Sequence, residues 1–525
     1  MTQSLRQRVL YASLSLGFAA VVAAPATAET LADALAQAYE NNPTLQAQRA
    51  NQRAIDEQYV QARSGWRPTL SLSAQAAWQE FRTPASERFR LNRPLDRAKV
   101  RGNAGALQFT FNQPIWTGGR VAASVTAANA DVLQGRENLR RLEGQVMLAV
   151  IQAYADVRRD QENLRIQQEN LKVLQAQLDE SRARFDVGEV TRTDVAQSQS
   201  RLANSQAQLQ SAMAQLAISR ANYAALVGHN PGALEPEPSL AFLLPGNVDD
   251  AFVIAERNSP LLRAQEFAEQ ASRARVAGAR ADRMPNVAFQ ATQRWGNGTI
   301  SPFESHTYDT ESTASVNVTV PLFTGGLTSS RVRAAIERNN ADRITVEAQR
   351  RSVLQTITQA WNQLIAARAN IVSTDEQVRA AKVAAEGTHQ EEQVGLRTTL
   401  DVLNAEQELR GAQLNQVSAR RDEYVATATV LNAMGRLEAR NLIPSQPQYD
   451  ATANFRRLRI TWGWVPWEEP IGLVDRAVAF PPIPQVEDAP REPAIGPGLL
   501  PPPATPGAPA PSPAAAPPEA EPSAS

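Results

Sequence analysis

The sequence predicts a mainly α-helical chain with an internal two-fold repeat, in which four β-strands of the membrane-barrel type interrupt long coiled-coil helices. Three observations predict this fold class. Two halves of the chain align with each other, apolar residues recur every seven positions over segments too long for a globular helix, and short segments between the helices alternate apolar and polar residues. The elements are justified below in chain order.

The first 28 residues predict export. Arg6 and Arg8 precede an apolar stretch over 9–24, and the small residues Ala-Thr-Ala follow at 26–28. This pattern is typical of a secretory signal peptide, so we assign residues 1–28 to the leader and expect cleavage after Ala28. Downstream, no run of 18 or more apolar residues predicts a transmembrane helix.

Composition argues against several function classes. The chain has no cysteine, which excludes thiol catalysis, disulfides, thiolate metal sites and a lipoprotein anchor. Its three histidines, His229, His306 and His389, lie far apart, so we expect no metal centre, cofactor or catalytic site built on them. A balance of 53 basic and 54 acidic residues gives no electrostatic footprint for nucleic acid. We find no nucleophile-base pattern and no phosphate-binding loop, so an enzyme is not predicted.

The body of the chain is duplicated. Asn41 and Pro43 align with Asn258 and Pro260, 217 residues later, and the Pro-x-x-Thr-Gly-Gly segment at 114–119 aligns with 321–326, 207 residues later. The ten-residue difference between these offsets predicts a longer loop in the first half. We therefore divide the body into a first repeat, 29–235, and a second repeat, 236–443.

Two segments follow the repeats. Residues 444–480 are rich in tryptophan, and residues 481–525 consist mostly of Pro, Ala, Glu and Ser. Such a composition does not bury enough apolar surface to order itself, so we expect the tail over 481–525 to be disordered.

The predicted helices are too long for a globular domain. From Arg120 to Arg184 there is no proline, and apolar residues follow a heptad pattern with one four-residue slip, which predicts a coiled-coil seam with a stutter. A helix of about 65 residues is roughly 100 Å long. A return helix ends at Gly228, and an N-terminal helix from Thr30 to about Ser64 has the length to complete it by stacking end to end. The heptads alone favour a cytoskeletal or tethering coiled coil over a pore.

Four segments alternate with period two, as the wall of a membrane barrel does. A half-exposed soluble sheet shows the same alternation, so that alternative stays open for any single strand. Four strands do not close a barrel, and a water-filled pore therefore requires at least three chains. The apolar positions are Leu70, Leu72, Ala74, Ala76 and Trp78 in the first strand, Leu107, Phe109 and Phe111 in the second, Val287, Phe289 and Ala291 in the third, and Val316, Val318 and Val320 in the fourth.

Three motifs carry a family resemblance. The Asn-Asn-Pro segment at 41–43, the Pro-Ile-Trp-Thr-Gly-Gly junction at 114–119 and the Asp-Val-Gly-x-x-Thr-x-x-Asp-Val turn at 186–195 each have a second copy. Together they resemble the TolC family of outer-membrane efflux and secretion proteins, over Thr30 to about Ile443. The resemblance implies a homotrimer whose twelve-stranded barrel contacts outer-membrane lipid and continues into a periplasmic α-helical barrel, with segment 444–480 at the equator. It also implies a passive duct served by a periplasmic adaptor and an inner-membrane transporter, for type I protein secretion or multidrug efflux.

The resemblance further implies roles for the two turns between paired helices. Asp194 and Asp401 match carboxylates that ring the closed end, and Arg397 matches an arginine that bonds across to keep it shut. The chain departs from some members at Asn404 and Glu392. The aspartates also fit an alternative role at the N-termini of the return helices. The residues implied to contact the adaptor are Val187, Gly188, Thr191, Val394, Gly395 and Thr398.

Three function classes follow from these patterns. The first is an outer-membrane export duct, the second a periplasmic coiled-coil scaffold or adaptor without a pore, and the third an envelope hydrolase. The alternating strands favour the duct, and no pattern predicts its cargo.

Overall fold

The computed structural model describes residues 28–82, 99–296, 309–458, 460 and 463–477. The predicted leader, apart from Ala28, and the predicted disordered tail lie outside these ranges.

The elements follow one another in two similar sets. The first set is α1 (Leu31–Asn41), α2 (Pro43–Arg63), β1 (Thr69–Arg82), β2 (Lys99–Trp116), α3 (Arg120–Asp186) and α4 (Arg192–Val227). The second set is α5 (Val248–Asn258), α6 (Pro260–Ala281), β3 (Asn286–Gly296), β4 (Asp309–Thr319), α7 (Leu327–Gln393) and α8 (Thr399–Ala433). Three short helices complete the described chain: α9 (Ala439–Leu442), α10 (Ala453–Arg457) and α11 (Glu468–Ala477).

The long helices α3 and α7 each contain 67 residues, which corresponds to about 100 Å. The half of α3 that begins beside the sheet packs against α2, and the half that lies far from the sheet packs against the return helix α4. These two shorter helices meet end to end. Asn42, just before α2, donates through its side chain to the carbonyl of Leu226, near the end of α4, at 3.0 Å. None of the helices in the described ranges has the apolar length that crossing a membrane requires.

The prediction of one N-terminal helix from Thr30 to Ser64 was wrong. The helix is interrupted at Asn42, because Pro43 lacks the backbone N–H that would continue α1. The Asn42 side-chain oxygen accepts from the backbone N–H of Thr44 and of Leu45, at 3.0 and 3.3 Å, and so starts α2 as a new helix.

The four strands form one antiparallel sheet in the order β1-β2-β3-β4. Its register places Leu70 opposite Phe111, Phe111 opposite Ala291, and Ala291 opposite Ala314. Side chains that face each other across this sheet lie on the same face, so the predicted apolar sets share one face. The predicted mainly α-helical fold with four strands is confirmed, and β1 and β4 are the edges of the sheet.

Packing differs along the coiled coils. The largest apolar cluster lies near the middle of the molecule, where Met147, Ile151 and Tyr154 of α3 pack with residues of α1, α5, α7 and α8. Toward the far turns, a smaller buried cluster of four leucines, at 174, 178, 202 and 403, shares the α3–α4 seam with polar pairs. Asn170 donates to Ser205 at 2.9 Å, and the Ser181 and Ser198 hydroxyls are 3.1 Å apart. Apolar burial therefore holds the centre more strongly than the far turns.

A C-terminal clasp, formed by α11, holds the start of β1 and of α3. Glu468 is fully buried, and its carboxylate binds Arg63 at 2.6 Å and Arg67 at 2.9 Å. Both arginines lie where α2 passes into β1. The two ion pairs satisfy a buried charge that would otherwise be costly to leave unpaired.

Asp475 of the clasp provides the N-terminal cap of α3. The residue before α3 is Gly119, which has no side chain, and its φ of 86° places it in the left-handed region that favours glycine. The fully buried Asp475 carboxylate accepts from the N–H groups of Thr117, Gly119 and Ala122 at 2.9–3.2 Å. It also accepts from the Trp66 indole N–H at 3.2 Å. A residue far along the chain thus satisfies the open end of the longest helix in the first half.

We expect Asp475→Ala to destabilise the protein by about 3 kcal/mol, because several buried donors lose their acceptor at once. Thermal unfolding in detergent, followed by circular dichroism, measures the change. The matched control is Glu469→Ala in the same helix, since Glu469 is mostly exposed and pairs with Arg63 at 2.7 Å; we expect a loss below about 1 kcal/mol there. Equal effects of the two substitutions would contradict the capping role of Asp475.

Candidate functional site

The apolar face of the sheet is uncovered. Leu72 is 63% exposed and Val316 is 60% exposed, and Leu70, Trp78 and Val318 are exposed in the same way. A soluble half-buried sheet would pack these side chains against a second layer. No layer of the described residues covers them, so this face is suited to lipid.

The opposite face is polar and concave. It encloses a groove of about 410 Å³ lined by residues of all four strands, including Gln75, Gln108, Gln290 and Ser315. Arg294 and Glu311 approach each other here at 4.0 Å. A polar concave face on a sheet with an apolar convex face is the arrangement of a barrel that holds water.

The molecule ends, opposite the sheet, in two equivalent turns. The first turn, between α3 and α4, contains Gly188 with a φ of 81°, and the second, between α7 and α8, contains Gly395 with a φ of 77°. Each turn presents an exposed valine, Val187 or Val394. The duplication therefore produces two similar apolar knobs, which we call the tip turns.

Both predicted gate aspartates take part in helix caps. In the first tip turn Thr191 and Asp194 form a reciprocal capping box, with Asp194 Oδ2 accepting from the Thr191 N–H at 2.9 Å. Thr398 and Asp401 form the same box at the second turn, at 3.1 Å. The alternative role of these carboxylates in starting the return helices is therefore what the protomer shows. Hydrogen bonds from Thr398 lower the pKa of Asp401, so it stays ionised at neutral pH.

The predicted gate arginine lies at the same tip. Arg397 Nε donates to Glu391 Oε2 at 2.8 Å, and both side chains are about half exposed. Hydrogen bonding to Glu391 and the nearby Asp401 charge raise the pKa of Arg397. The structure thus brings Arg397 close to Asp401 and pairs it with a glutamate of its own chain.

Sequence reasoning missed the contacts that join the two coiled coils near the tips. Glu392 is only 4% exposed, and its Oε1 accepts from Arg184 of α3 and from the Thr399 hydroxyl, both at 3.2 Å. Arg201 of α4 donates to Asn404 of α8 at 3.0 Å. Glu392 and Asn404 were visible as departures from a family pattern. Their arginine partners had no local signal, because they approach only when α3 and α4 pack beside α7 and α8.

Within the described ranges, no group of three or more His, Cys, Asp or Glu side chains is arranged to hold a metal ion.

These features define a class of protein: a duplicated, elongated helical chain that carries a lipid-facing ribbon at one end and paired turns at the other. A sequence model described as outer membrane efflux protein matches residues 34–229 and 253–436, one match in each half. The chain belongs to this outer membrane efflux protein family. It is located in the outer membrane and extends into the periplasm, and the resemblance inferred from the three motifs is confirmed.

Individual relatives agree with the family. The outer membrane efflux protein BepC of Brucella suis is 32% identical over 437 residues, covering 83% of this chain and 92% of the relative. The outer membrane protein TolC of Vibrio cholerae is 25% identical over 440 residues, covering 83% and 96%. Both relatives are named as outer-membrane proteins, and BepC is named for efflux, which favours the channel over a scaffold without a pore.

Solved structures show the same fold. The outer-membrane channel OprN aligns with a TM-score of 0.66 at 21% identity, covering 77% of this chain and 89% of that one. The outer membrane protein VceC of Vibrio cholerae aligns with a TM-score of 0.63 at 21% identity, covering 77% and 96%.

Adjacent residues at the centre of β3 test which face meets lipid. Ala291 lies on the apolar face and Thr292 lines the polar groove. We expect Ala291→Arg to cost about 2–4 kcal/mol of membrane stability, because it places a charge in hydrocarbon, and to lower the amount of chain recovered from outer membranes. Thr292→Arg should assemble normally, since water solvates its charge. Equal recovery of both variants would contradict the assignment of the faces.

Proposed function

We propose that three copies of this chain form a passive export duct across the outer membrane and the periplasm. A periplasmic adaptor, bound to an inner-membrane transporter, opens the duct at the tip turns and supplies its cargo. The observation that carries the proposal is the sheet, which combines an uncovered apolar face, a polar concave face and two free edges.

The number of copies follows from strand counting. Barrels of about eight strands are already filled by their own side chains, so a water-filled duct needs more strands than two copies supply. Three copies give twelve. The second strand-to-helix junction supports contact between copies, because Leu322 is 92% exposed and Phe323 is similarly bare in the protomer. The first junction, in contrast, is covered by the C-terminal clasp.

The tip turns carry the gate in this proposal. Asp194, Asp401 and Arg397 of neighbouring copies close the end of the duct by charge-assisted contacts. Each aspartate uses Oδ2 for its own helix cap, which leaves Oδ1 to accept from a neighbouring arginine. The adaptor contacts the tip turns at Val187, Gly188 and Thr191 and at the equivalent Val394, Gly395 and Thr398.

The weak packing near the tips supports opening at this end. Buried serine and asparagine pairs interrupt a small leucine cluster in the α3–α4 seam there, and each pair contributes less than a buried leucine would. Helices held in this way separate at lower cost than those of the central cluster. In this proposal, opening rearranges the far half and leaves the central cluster in place.

For the cargo, we favour small toxic molecules over polypeptides. BepC, named for efflux, matches most of this chain. The alkaline protease secretion protein AprF of Pseudomonas aeruginosa is 28% identical over 173 residues, which is 33% of this chain. Polypeptide secretion is the second candidate on the strength of that shorter match.

Conductance in a planar lipid bilayer tests the duct and its gate. We expect the purified protein to give small, cation-selective steps, because carboxylates ring the closed end. Arg397→Ser combined with Asp401→Asn should raise the conductance several-fold, since it removes contacts between copies while Asn still accepts the cap hydrogen bond.

The matched control is Arg379→Ser, which removes an exposed arginine of α7 that pairs with Glu376 away from the tip. Its conductance should equal that of the unmodified protein. A folded assembly that never conducts would contradict the duct, and an unchanged conductance in the double variant would contradict the gate.

A further inference from the structure

The backbone of residue 29 is fixed in the fold. The Glu29 N–H donates to the Ala233 carbonyl at 2.8 Å, and the Glu29 carbonyl accepts from the Glu235 N–H at 3.0 Å. These two bonds form a parallel bridge opposite Leu234. The Tyr154 hydroxyl donates into the same bridge, where its oxygen lies 2.8 Å from the Glu235 carbonyl and 2.9 Å from the Glu29 carbonyl. The hydrogen bonds attach residue 29 to the linker that follows α4 and to the middle of α3.

The Glu29 side chain is fixed as well. Its carboxylate accepts from the Tyr223 hydroxyl at 2.7 Å and lies 3.1 Å from His229 Nε2. The side chain is only 14% exposed, and Tyr223 is fully buried. Burial and the hydrogen bond to Glu29 raise the pKa of Tyr223, so its hydroxyl remains a donor throughout the neutral range. We call Glu29, Tyr154, Tyr223 and His229 the residue-29 lock.

The lock lies beside the bond that leader cleavage must break. Cleavage after Ala28 is predicted from the small residues at 26–28, and Glu29 is then the first residue of the mature chain. The next residue is also held, because Thr30 forms a capping box with Asp33 at the start of α1. Both residues that follow the scissile bond therefore have fixed backbone and side-chain contacts.

We propose that the folded protein shields its own leader-processing site, so that a signal peptidase cleaves the Ala28–Glu29 bond only before residue 29 docks. In this hydrolysis water adds across the peptide bond, which leaves a carboxylate on Ala28 and an ammonium group on Glu29. The ammonium keeps an N–H for the Ala233 carbonyl, now as a charge-assisted donor. Folding then holds the new amino terminus among the contacts of the residue-29 lock.

The physical basis is the cost of local opening. A peptidase binds its substrate as an extended segment, and freeing Glu29 and Thr30 requires the bridge, the lock and the capping box to open together. Cleavage of a folded chain follows the small population in which such a unit is open. A chain that folds before processing therefore keeps its leader. This inference does not depend on the proposed export function.

Processing of the full-length chain tests the shield. The leader-bearing protein is refolded in detergent and incubated with purified signal peptidase, alongside a synthetic peptide covering residues 20–40, and cleavage is followed by intact mass. We expect the folded chain to be cleaved at least tenfold more slowly than the peptide. Tyr223→Phe combined with His229→Gln should be cleaved faster, because it weakens the lock without changing residues 20–40.

The control is Tyr59→Phe, which alters a half-buried tyrosine of α2 that packs against Phe455, away from the lock. It should remain as slow as the unmodified chain. Equal cleavage rates for the folded chain and the peptide would overturn the proposal.

A second measurement requires no refolding. Mature protein extracted from membranes is treated with an amine-reactive reagent near neutral pH, first native and then unfolded, and the labelled N-terminal peptide is quantified. We expect a chain that begins at residue 29 and an α-amine that is labelled severalfold more slowly in the native state. A different N-terminal residue, or equal labelling in the two states, would overturn the proposal.

Discussion

The free edges of β1 and β4 constrain the rest of the molecule. Each edge presents backbone N–H and C=O groups that must find partners inside a bilayer, where water does not supply them. The uncovered apolar face is suited to lipid, and in the proposed three-copy assembly further copies of the chain satisfy the edges. The duplicated helices then repeat around the same axis. In the proposed assembly, membrane insertion therefore depends on association of the copies, because association supplies the hydrogen-bond partners that the sheet edges need in lipid.

Stability is distributed unevenly along the chain, and the distribution matches the proposed function. The C-terminal clasp holds the region next to the sheet, with Glu468 and Asp475 fully buried among their donors, and the largest apolar cluster holds the middle of the molecule. The far half of the first coiled coil combines a small leucine cluster with buried polar pairs, and single contacts such as Arg184 to Glu392 join it to the second. A duct that opens at one end and stays anchored at the other requires this difference.

The sequence predicted those features that have a local period or a local signal. Alternation located the four strands and their faces, the repeat offsets located the equivalent junctions, and the alternative role of Asp194 and Asp401 placed them at the starts of the return helices. The break at Asn42 had a signal in the following proline, which the single-helix prediction did not use. Asp475 capping α3, Arg184 meeting Glu392 and Glu29 meeting Tyr223 had none, because each joins residues brought together only by tertiary packing.

Cysteine cross-linking between copies tests the central claim most directly, since the chain has no cysteine of its own. Thr110 of β2 pairs with Thr292 of β3. The repeat offsets of 207 and 217 residues relate Thr110 to Asn317 of β4 and Thr292 to Gln75 of β1. Asn317 of one copy should therefore lie opposite Gln75 of the next copy. With Asn317 and Gln75 both changed to cysteine, the account predicts cross-linked species of two and three chains, and none larger, on a denaturing gel. Placing the β1 cysteine at position 77 instead of position 75, by Ala77→Cys, should reduce cross-linking. A chain that stays unlinked in outer membranes, or a ladder that continues beyond three chains, would contradict the closed three-copy barrel.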